Sequence, residues 1–427
     1  MKAESYKVFL LSLIIVFSVV FTLTFYKFTE IPKNLDLDEV EFARLALDLE
    51  NKPFTPYHEY ATGHTTFYYY LILLSFKLFT PTNFSLRLVS AVFGLLSGLA
   101  LVVLAKTISK DKVFILFFPI IVITQRWFFN FARFGFEATF LLFWEILAVL
   151  FLFRFLHRSD YKDLIAVSIF SGLAYNSYAA GRVFFLVPVV TILILSRKNR
   201  FKNLCIFTTV FALVTLPLNL YFLTKTLDIR AKQQIFLFDQ NIKLNEKLLF
   251  IIENLKKYLE MFLTKGDVNG RHNYPLKPAI NLIIALFFIL GLSKSVKNII
   301  LKKFNKAEFV FLTWFAVTLS LSLITYPWEN PNMLRTYFLL PALGYFSYEG
   351  INLTVAKLNL FKYRIIIFTL LITASLIYDA RTYFLYQREV FYHSFKVIDT
   401  LDKLYLTDGL KLLNNEEILE FKKRYNY

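Results

Sequence analysis

Long apolar runs are the feature that most constrains the fold of this 427-residue chain. A helix needs about 20 mostly apolar residues to cross the hydrocarbon core of a bilayer, and a soluble domain does not carry one such run after another. The composition agrees, with 57% hydrophobic residues and a mean hydropathy of +0.52. We therefore predict an all-α polytopic membrane protein. Twelve runs lie at about 8–26, 66–80, 86–105, 113–129, 136–155, 163–179, 183–196, 203–223, 276–293, 309–325, 334–355 and 364–379.

The charged residues fit a membrane protein better than a nucleic-acid-binding one. The formal net charge is +17, and basic residues cluster in short loops between the apolar runs, as the positive-inside rule describes for cytoplasmic loops. The first run follows Lys2 and Lys7 and precedes no small-residue cleavage site, so we expect an uncleaved signal-anchor with a cytoplasmic N-terminus. The single cysteine, Cys205, excludes an internal disulfide and a cysteine-based metal site.

The basic loops also fix the predicted topology. If all twelve runs crossed the membrane, the basic loops could not all be cytoplasmic, so one run does not cross. The run 66–80 is the best candidate, because its 15 residues span about 22 Å as a helix and include interfacial tyrosines. We expect it to lie in the outer leaflet, which leaves eleven spans and an extracytoplasmic C-terminus. The basic loops are 106–112, 154–162, 197–202, 294–306 and 357–364.

This topology predicts a multi-pass protein of the cell membrane with its polar clusters on the extracytoplasmic face. We expect a transmembrane catalytic domain and a short outer C-terminal tail, with two outer loops forming most of the active-site face. The domain is 1–380, the tail is 381–427, and the loops are 27–85 and 224–275, joined by the outer segments 126–135 and 326–335.

The first of these clusters is acidic and follows the first apolar run. Four carboxylates lie within six residues, at Asp36, Asp38, Glu39 and Glu41. Asp36 with Glu39 three residues later has the pattern of a helix capping box, and a capped interfacial helix would account for both residues. Asp38 is not needed for capping. We therefore expect Asp38, with Glu39 beside it, to carry chemistry.

The other clusters bring cationic and aromatic side chains to the same predicted face. Arginine suits the binding of a phosphate, and a histidine can donate to an anion. Snorkelling of an arginine to the interface, an ordinary surface turn or a structural histidine would also explain each cluster by itself. The candidates are His64 and Tyr69 in 63–70, Arg133 and Glu137 in 126–137, Arg271 and His272 in 265–275, and Arg335 in 328–335.

Taken in order, these segments resemble the polyprenyl-phosphate-sugar glycosyltransferases of the GT-C fold, and family 39 (protein mannosyltransferase-like and aminoarabinose transferase-like) in particular. His64 stands where that family has a lysine, and Thr65 and Thr66 stand where it has prolines. The resemblance covers about 35–350. It is carried by Asp38-Glu39, Gly63–Tyr70, Ala132–Glu137, Gly172–Arg182, Gly266–Asn273 and Asn330–Pro341.

The resemblance implies an enzyme with about eleven transmembrane helices and further interfacial helices in the first outer loop. It implies transfer of a sugar from a polyprenyl-phosphate donor to a hydroxyl of a protein, lipid or glycan acceptor, with inversion at the anomeric carbon. In this hypothesis Asp38 is the general base, and Glu39 orients the helix end or the acceptor. The leaving phosphate would be stabilised by His64, Arg133, Arg271 and His272, with Glu137, Tyr69 and Arg335 as further site candidates.

We expect no required cofactor and no dedicated metal site, although the acidic pair could recruit a divalent cation weakly. Membrane lipids are expected partners, and nucleic acid is not. The sequence leaves open the sugar, the acceptor and the choice between an undecaprenyl and a dolichyl carrier.

A transporter or flippase for a lipid-linked or anionic solute is the alternative. Such a protein typically shows intramembrane polar residues along a path and an internal repeat of spans. Only Glu145, Arg182 and Glu349 are candidates for such a path, and no repeat is apparent in the sequence. A non-catalytic scaffold is the third class considered.

Overall fold

The computed structural model describes residues 2–60, 63–196, 199–225 and 233–427, with side chains from residue 6 onward. Helices dominate it. The first part of the chain forms α1 (Lys2–Phe25), α2 (Leu37–Asp48), α3 (Phe67–Phe79), α4 (Asn83–Ile108), α5 (Lys112–Ile123), α6 (Arg126–Phe131), α7 (Ala138–Arg158), α8 (Tyr161–Tyr175), α9 (Leu186–Leu195) and α10 (Arg200–Thr224).

The later part of the chain is also helical. It forms α11 (Leu244–Leu263), α12 (Leu282–Ile300), α13 (Lys306–Leu323), α14 (Leu340–Lys357), α15 (Arg364–Arg381), α16 (Arg388–Ser394), α17 (Leu401–Asp408) and α18 (Asn415–Arg424). A π-helical turn, Thr382–Gln387, joins α15 to α16. Short 3₁₀ turns lie at Ala179–Val183, Phe236–Phe238, Pro327–Glu329, Tyr337–Leu339 and Phe361–Tyr363, and the strands β1 (Tyr57–His58) and β2 (His64–Thr65) pair antiparallel.

Several long apolar helices begin at a polar side chain that satisfies the first free backbone amides. Thr82 accepts from the Ser85 amide at the start of α4, and Asn281 and Asn305 act in the same way for α12 and α13. Such caps contribute about 1 kcal/mol each, and they fix where an apolar run becomes helical. The runs 86–105 and 309–325 therefore correspond closely to α4 and α13, whereas α12 begins later than the run 276–293, after the cap at Asn281.

Seven helices in the described part of the chain are long and apolar enough to cross a membrane. The predicted helical membrane class is confirmed, whereas the number of eleven spans stays a prediction. The seven are Tyr6–Phe25, Asn83–Ile108, Ala138–Arg158, Arg200–Thr224, Leu282–Ile300, Lys306–Leu323 and Phe361–Ser394.

Other apolar runs form helices that are shorter than a membrane span. The run 113–129 is divided into α5 and α6 because Gln125 has extended backbone angles. The run 66–80 yields the 13 residues of α3, which span about 20 Å against about 30 Å of hydrocarbon. Its length fits the prediction that this run does not cross.

Contacts between loops divide the bundle into two ends. At one end the predicted outer segments meet, since Arg271 contacts Asp38 and the Met333 carbonyl accepts from the Trp127 indole. At the other end basic loops meet, since Arg364 binds Asp111 at 2.6 Å. The grouping by charge agrees with the structure, while the side of the membrane on which each end lies stays a prediction.

The C-terminal region departs in detail from the predicted division at residue 381. One continuous helix runs from Phe361 to Ser394, so the chain leaves the bundle only after Ser394. Residues 395–427, which we call the C-terminal segment, then return to α2 through α17 and α18.

Candidate active site

The N-terminal turn of α2 is the centre of the site, and its geometry follows from the local sequence. Asp36 is the N-cap and accepts from the Asp38 amide at 3.2 Å, while Glu39 accepts from the Asp36 amide at 3.2 Å. This is the predicted capping box, and it is confirmed. The turn holds the backbone so that Asp38 is 37% exposed, whereas Asp36 is 1% exposed.

Glu39 is held inside the protein by Arg87. Both side chains are fully buried, and the Arg87 Nε and Nη2 each donate to a carboxylate oxygen of Glu39 at 2.8 Å. The Gly135 amide also donates to Glu39, at 2.9 Å. A buried bidentate pair of this kind fixes the position of α2 against α4. Glu39 was predicted to orient the helix end or the acceptor; its burial against Arg87 places it at the helix end, and its role in the reaction stays a prediction.

Asp38 faces Arg271, which comes from the second outer loop. The Arg271 Nη1 lies 2.6 Å from an Asp38 oxygen and also contacts Asp36, so one guanidinium bridges two carboxylates. Burial lowers the pKa of Arg271, but the two carboxylates outweigh this effect and raise it, so the guanidinium stays charged. Burial raises the pKa of Asp36 to about 6, although Arg271 opposes this shift.

A cavity of about 360 Å³ opens beside this pair, and we call it the site cavity. Its walls come from the outer segments that the sequence grouped together. The residues that line it include Asp38, Phe136, Tyr178, Gln234, Asp267, Arg271, His272, Trp328, Glu329, Asn330 and Arg335.

The loop that carries Arg271 is shaped by Asp267. This carboxylate accepts from the Asn269 amide at 2.8 Å, from the Met333 amide at 2.8 Å, and contacts the His272 ring at 2.9 Å. Gly270 permits close packing against α16, because a Cβ at that position would overlap Ser394. Arg271 and His272 are therefore held at the cavity wall by a loop with little freedom.

Arg335 lies across the site cavity and is held by its neighbours. It donates to Thr325 at 2.8 Å and to Glu329 at 2.7 Å, and only 7% of it is exposed. Helix α11 supports this wall, since Tyr258 donates to Asn330 at 2.6 Å. Arg335 thus adds a second fixed guanidinium to the cavity that Asp38 lines.

His64, Tyr69 and Glu137 form a buried cluster elsewhere. The Tyr69 hydroxyl donates to Glu137 at 2.6 Å, and His64 Nδ1 lies 3.1 Å from the same carboxylate oxygen. The ring of Phe42 packs on His64, with centroids 5.1 Å apart. None of the three polar residues lines the site cavity in the described structure. The structure thus joins these predicted residues to one another and not to Arg271.

Arg133 lies in a different environment from the one expected. Its side chain is fully buried and donates to backbone carbonyls in the last turn of α1 and just after it. The guanidinium is occupied in closing the end of a helix, which does not favour the predicted contact with a donor phosphate, and that contact stays a prediction. The carbonyls belong to Leu23, Thr24, Tyr26, Lys27 and Ile31.

Comparisons with known proteins identify the fold that carries this site. Residues 63–222, less than half of the chain, match the family model described as dolichyl-phosphate-mannose-protein mannosyltransferase. The archaeal oligosaccharyltransferase AglB from Archaeoglobus fulgidus, in complex with an inhibitory peptide and a dolichol-phosphate, superposes with a TM-score of 0.57 at 16% identity over 90% of this chain. The chain has the GT-C fold.

A second GT-C structure gives the same result. ArnT from Cupriavidus metallidurans, bound to undecaprenyl phosphate, superposes with a TM-score of 0.54 at 13% identity, covering 90% of this chain and 76% of its own. No curated protein matches the sequence. The chain covers only 56% of the length of AglB. The predicted GT-C class is confirmed, and the predicted glycosyltransferase agrees with the family model that residues 63–222 match.

Three residues of the candidate active site were not found from the sequence. Arg87 carried a signal, because an arginine at the edge of an apolar run needs a buried partner. Asp267 lies in a segment that was noted, but its contact with Met333 spans 66 residues and leaves no local pattern. Tyr427 carried no signal in the sequence, although its hydroxyl donates to Asp36 at 2.9 Å.

The carboxylates of the candidate active site do not form a dedicated metal site in the described part of the chain. No group of three or more histidine, cysteine, aspartate or glutamate side chains in that part could hold an ion. Asp36 and Asp38 have Arg271 between them, and this cation would compete with a divalent ion for both. The expectation that no metal is required stays a prediction.

Proposed function

We propose that this membrane protein is a glycosyltransferase that moves a sugar from a polyprenyl-phosphate donor to an acceptor hydroxyl on the extracytoplasmic face. The observation that carries the proposal is the pairing at the site cavity of a partly exposed carboxylate, Asp38, with the two guanidinium groups of Arg271 and Arg335. Transfer from a lipid phosphate needs both a base and fixed positive charge.

Asp38 is the proposed general base because the neighbouring acids are committed elsewhere. Asp36 caps α2, and Glu39 is bound to Arg87 inside the protein. Asp38 lies in the first turn of α2, where the positive end of the helix dipole favours an ionised carboxylate. It can therefore accept the proton of an acceptor hydroxyl that enters the site cavity.

Arg271, Arg335 and His272 are the proposed partners of the donor phosphate. In the reaction the acceptor oxygen bonds to the anomeric carbon, its proton passes to Asp38, and the bond from that carbon to the phosphate oxygen breaks. The lipid phosphate then leaves as an anion, and the guanidinium groups stabilise its developing charge. A single displacement of this kind inverts the anomeric centre.

Arg271 has a double task in this mechanism. Without donor it bridges Asp36 and Asp38. A bound phosphate would compete with Asp38 for the N–H groups of the guanidinium. Donor binding would thus free Asp38 to act as a base. The presence of dolichol-phosphate in the AglB structure and of undecaprenyl phosphate in the ArnT structure supports a lipid-phosphate donor, without choosing between them.

The transporter alternative is not favoured by the surroundings of the intramembrane acids. Glu145 accepts from the Trp314 indole at 2.9 Å, and Glu349 is bound to Lys294 at 2.5 Å. Each acid thus has a local partner on a neighbouring helix. Asp38, Arg271 and Arg335 instead line one cavity, as an active site requires.

Turnover of radiolabelled polyprenyl-phosphate sugars by the purified protein in nanodiscs tests the proposal. We expect Asp38→Asn to lower kcat at least 100-fold, since general base catalysis contributes about 10²–10⁴-fold. Asp402→Asn, at an exposed position on α17, is the matched control and should keep full activity. Full transfer by a correctly folded Asp38→Asn protein would exclude Asp38 as the base.

A further inference from the structure

The C-terminal segment is bound to the beginning of α2 by its backbone. Leu35, just before the cap residue, pairs with Val397 as an antiparallel bridge, with N–O distances of 3.2 and 3.0 Å. Both side chains are fully buried. The segment therefore fixes the chain where it enters the acidic turn, more than 350 residues away in sequence.

A second attachment lies on the other side of α2. Arg44 is 1% exposed, and its guanidinium donates to the Asp408 carboxylate and to the Lys411 carbonyl, each at 2.7 Å. Its guanidinium also lies over the ring of Phe421, 5.6 Å from the centroid. The segment is thus held to α2 just before its first turn and again within the helix at Arg44, with little freedom to slide along it.

Tyr427 completes the attachment at the acidic turn itself. Its hydroxyl donates to Asp36 Oδ1 at 2.9 Å and accepts from the Leu37 amide at 3.1 Å and the Lys396 amide at 3.3 Å. Lys396 in turn donates to the Asn426 carbonyl at 2.9 Å, which orients the end of the segment. The tyrosine hydroxyl is therefore the meeting point of the segment and the helix cap.

Asp36 is held from two sides as a result. Its Oδ1 accepts from Tyr427, while its Oδ2 accepts from the Asp38 amide and contacts Arg271. A carboxylate fixed at both oxygens cannot rotate, so Arg271 has a fixed anchor from which to reach Asp38. Removing the Tyr427 hydroxyl would leave Oδ1 without this donor and let the carboxylate turn about its bond.

We propose that Tyr427 is a positioning residue of the active site, which fixes Asp36 and through it the mutual geometry of Arg271 and Asp38. The inference rests on the proposed function for its catalytic consequence, but the contact itself can be tested without activity. Tyr427 does not line the site cavity, so its role is exerted through Asp36 and not on the substrate.

The experiment compares wild type with Tyr427→Phe in nanodiscs by two measurements. Hydrogen exchange of residues 35–39 reports the contact, because the Leu35 and Leu37 amides bond to the segment. Transfer kinetics across pH report its effect on Asp36, which faces Asp38, Glu39, Arg271 and Tyr427. Tyr405→Phe, at an exposed position of the same segment, is the matched control.

We expect Tyr427→Phe to exchange faster at residues 35–39, to lower kcat about ten-fold with little change in the KM for the donor, and to move the acidic limb of the pH profile to higher pH. The shift arises because the lost donor stabilised ionised Asp36. Unchanged exchange would overturn the proposal, and so would faster exchange with an unchanged kcat and pH profile. If wild type transfers no sugar, the proposed function fails while the exchange result still decides the contact.

Discussion

Asp36, Asp38, Glu39 and Glu41 lie within six positions, and each has a different environment. Asp36 caps the helix and holds Arg271, Glu39 is sealed against Arg87, and Asp38 opens to the site cavity. Glu41 lies beneath the C-terminal segment, close to Lys422 and Arg44. Four carboxylates that are neighbours in the sequence thus have different environments in the fold, because burial and the nearest cation differ at each position.

Glu41 gives a pH prediction at this scale. Burial raises its pKa to about 7 from an ordinary value of 4.5, so the folded state favours the protonated acid. Its stabilising contribution is present below about pH 4.5 and is lost as pH rises through 7. We expect Glu41→Gln to raise the free energy of unfolding at pH 8 by on the order of 2 kcal/mol, and with it the thermal unfolding midpoint. At pH 4.5 the substitution should change both quantities little.

Thermal unfolding in detergent at the two pH values checks this expectation. Glu420→Gln, at an exposed position of α18, should leave both midpoints unchanged. Asp36 also has a raised pKa, so the variant keeps part of the wild-type pH dependence. A Glu41→Gln protein that is less stable than wild type at pH 8 would contradict the inference that the ionised Glu41 side chain destabilises the folded state.

At the scale of the elements, what could be predicted from the sequence depended on the range of the interaction. The capping box at Asp36 and Glu39 spans three residues, and its pattern is visible in the sequence. The contact of Arg271 with Asp38 spans 233 residues, so only the shared predicted face of their loops pointed to it. The buried position of Arg133 could not be predicted for a related reason: its carbonyl partners have no residue type that a pattern could reveal.

Arg133 gives the prediction at this scale. Its loss would leave several buried carbonyls at the end of α1 without donors, and each costs about 1–3 kcal/mol. We expect Arg133→Ala to lower stability by about 3 kcal/mol or more, with no rise in the KM for the donor in the folded fraction. Unfolding midpoints and donor kinetics measure the two effects.

Arg381→Ala is the control for this substitution, because Arg381 is exposed on the neighbouring end of α15. It should change neither quantity. If Arg133→Ala has normal stability and a raised KM for the donor, Arg133 contacts the donor phosphate and the expected structural role is contradicted.

At the scale of the whole molecule, the two ends of the bundle differ in the charged residues that they carry. One end collects the acids and arginines of the site cavity, and the other collects the basic loops, including the contact of Arg364 with Asp111. The positions of the basic loops predicted this division, because the positive-inside rule places all of them on one side of the membrane. The number of spans was harder to predict, since the helices α5 and α9 have only 12 and 10 residues, and an apolar run does not reveal where its helix ends.

The position of a bound lipid phosphate tests directly whether the site cavity is the donor-binding site. We predict that a structure determined with an undecaprenyl or dolichyl phosphate places the phosphate in the site cavity, within hydrogen-bond distance of Arg271 or Arg335 and beside Asp38. A phosphate bound at Arg133, at the cluster of His64 and Glu137, or at the end of the bundle where Arg364 meets Asp111 would contradict the account.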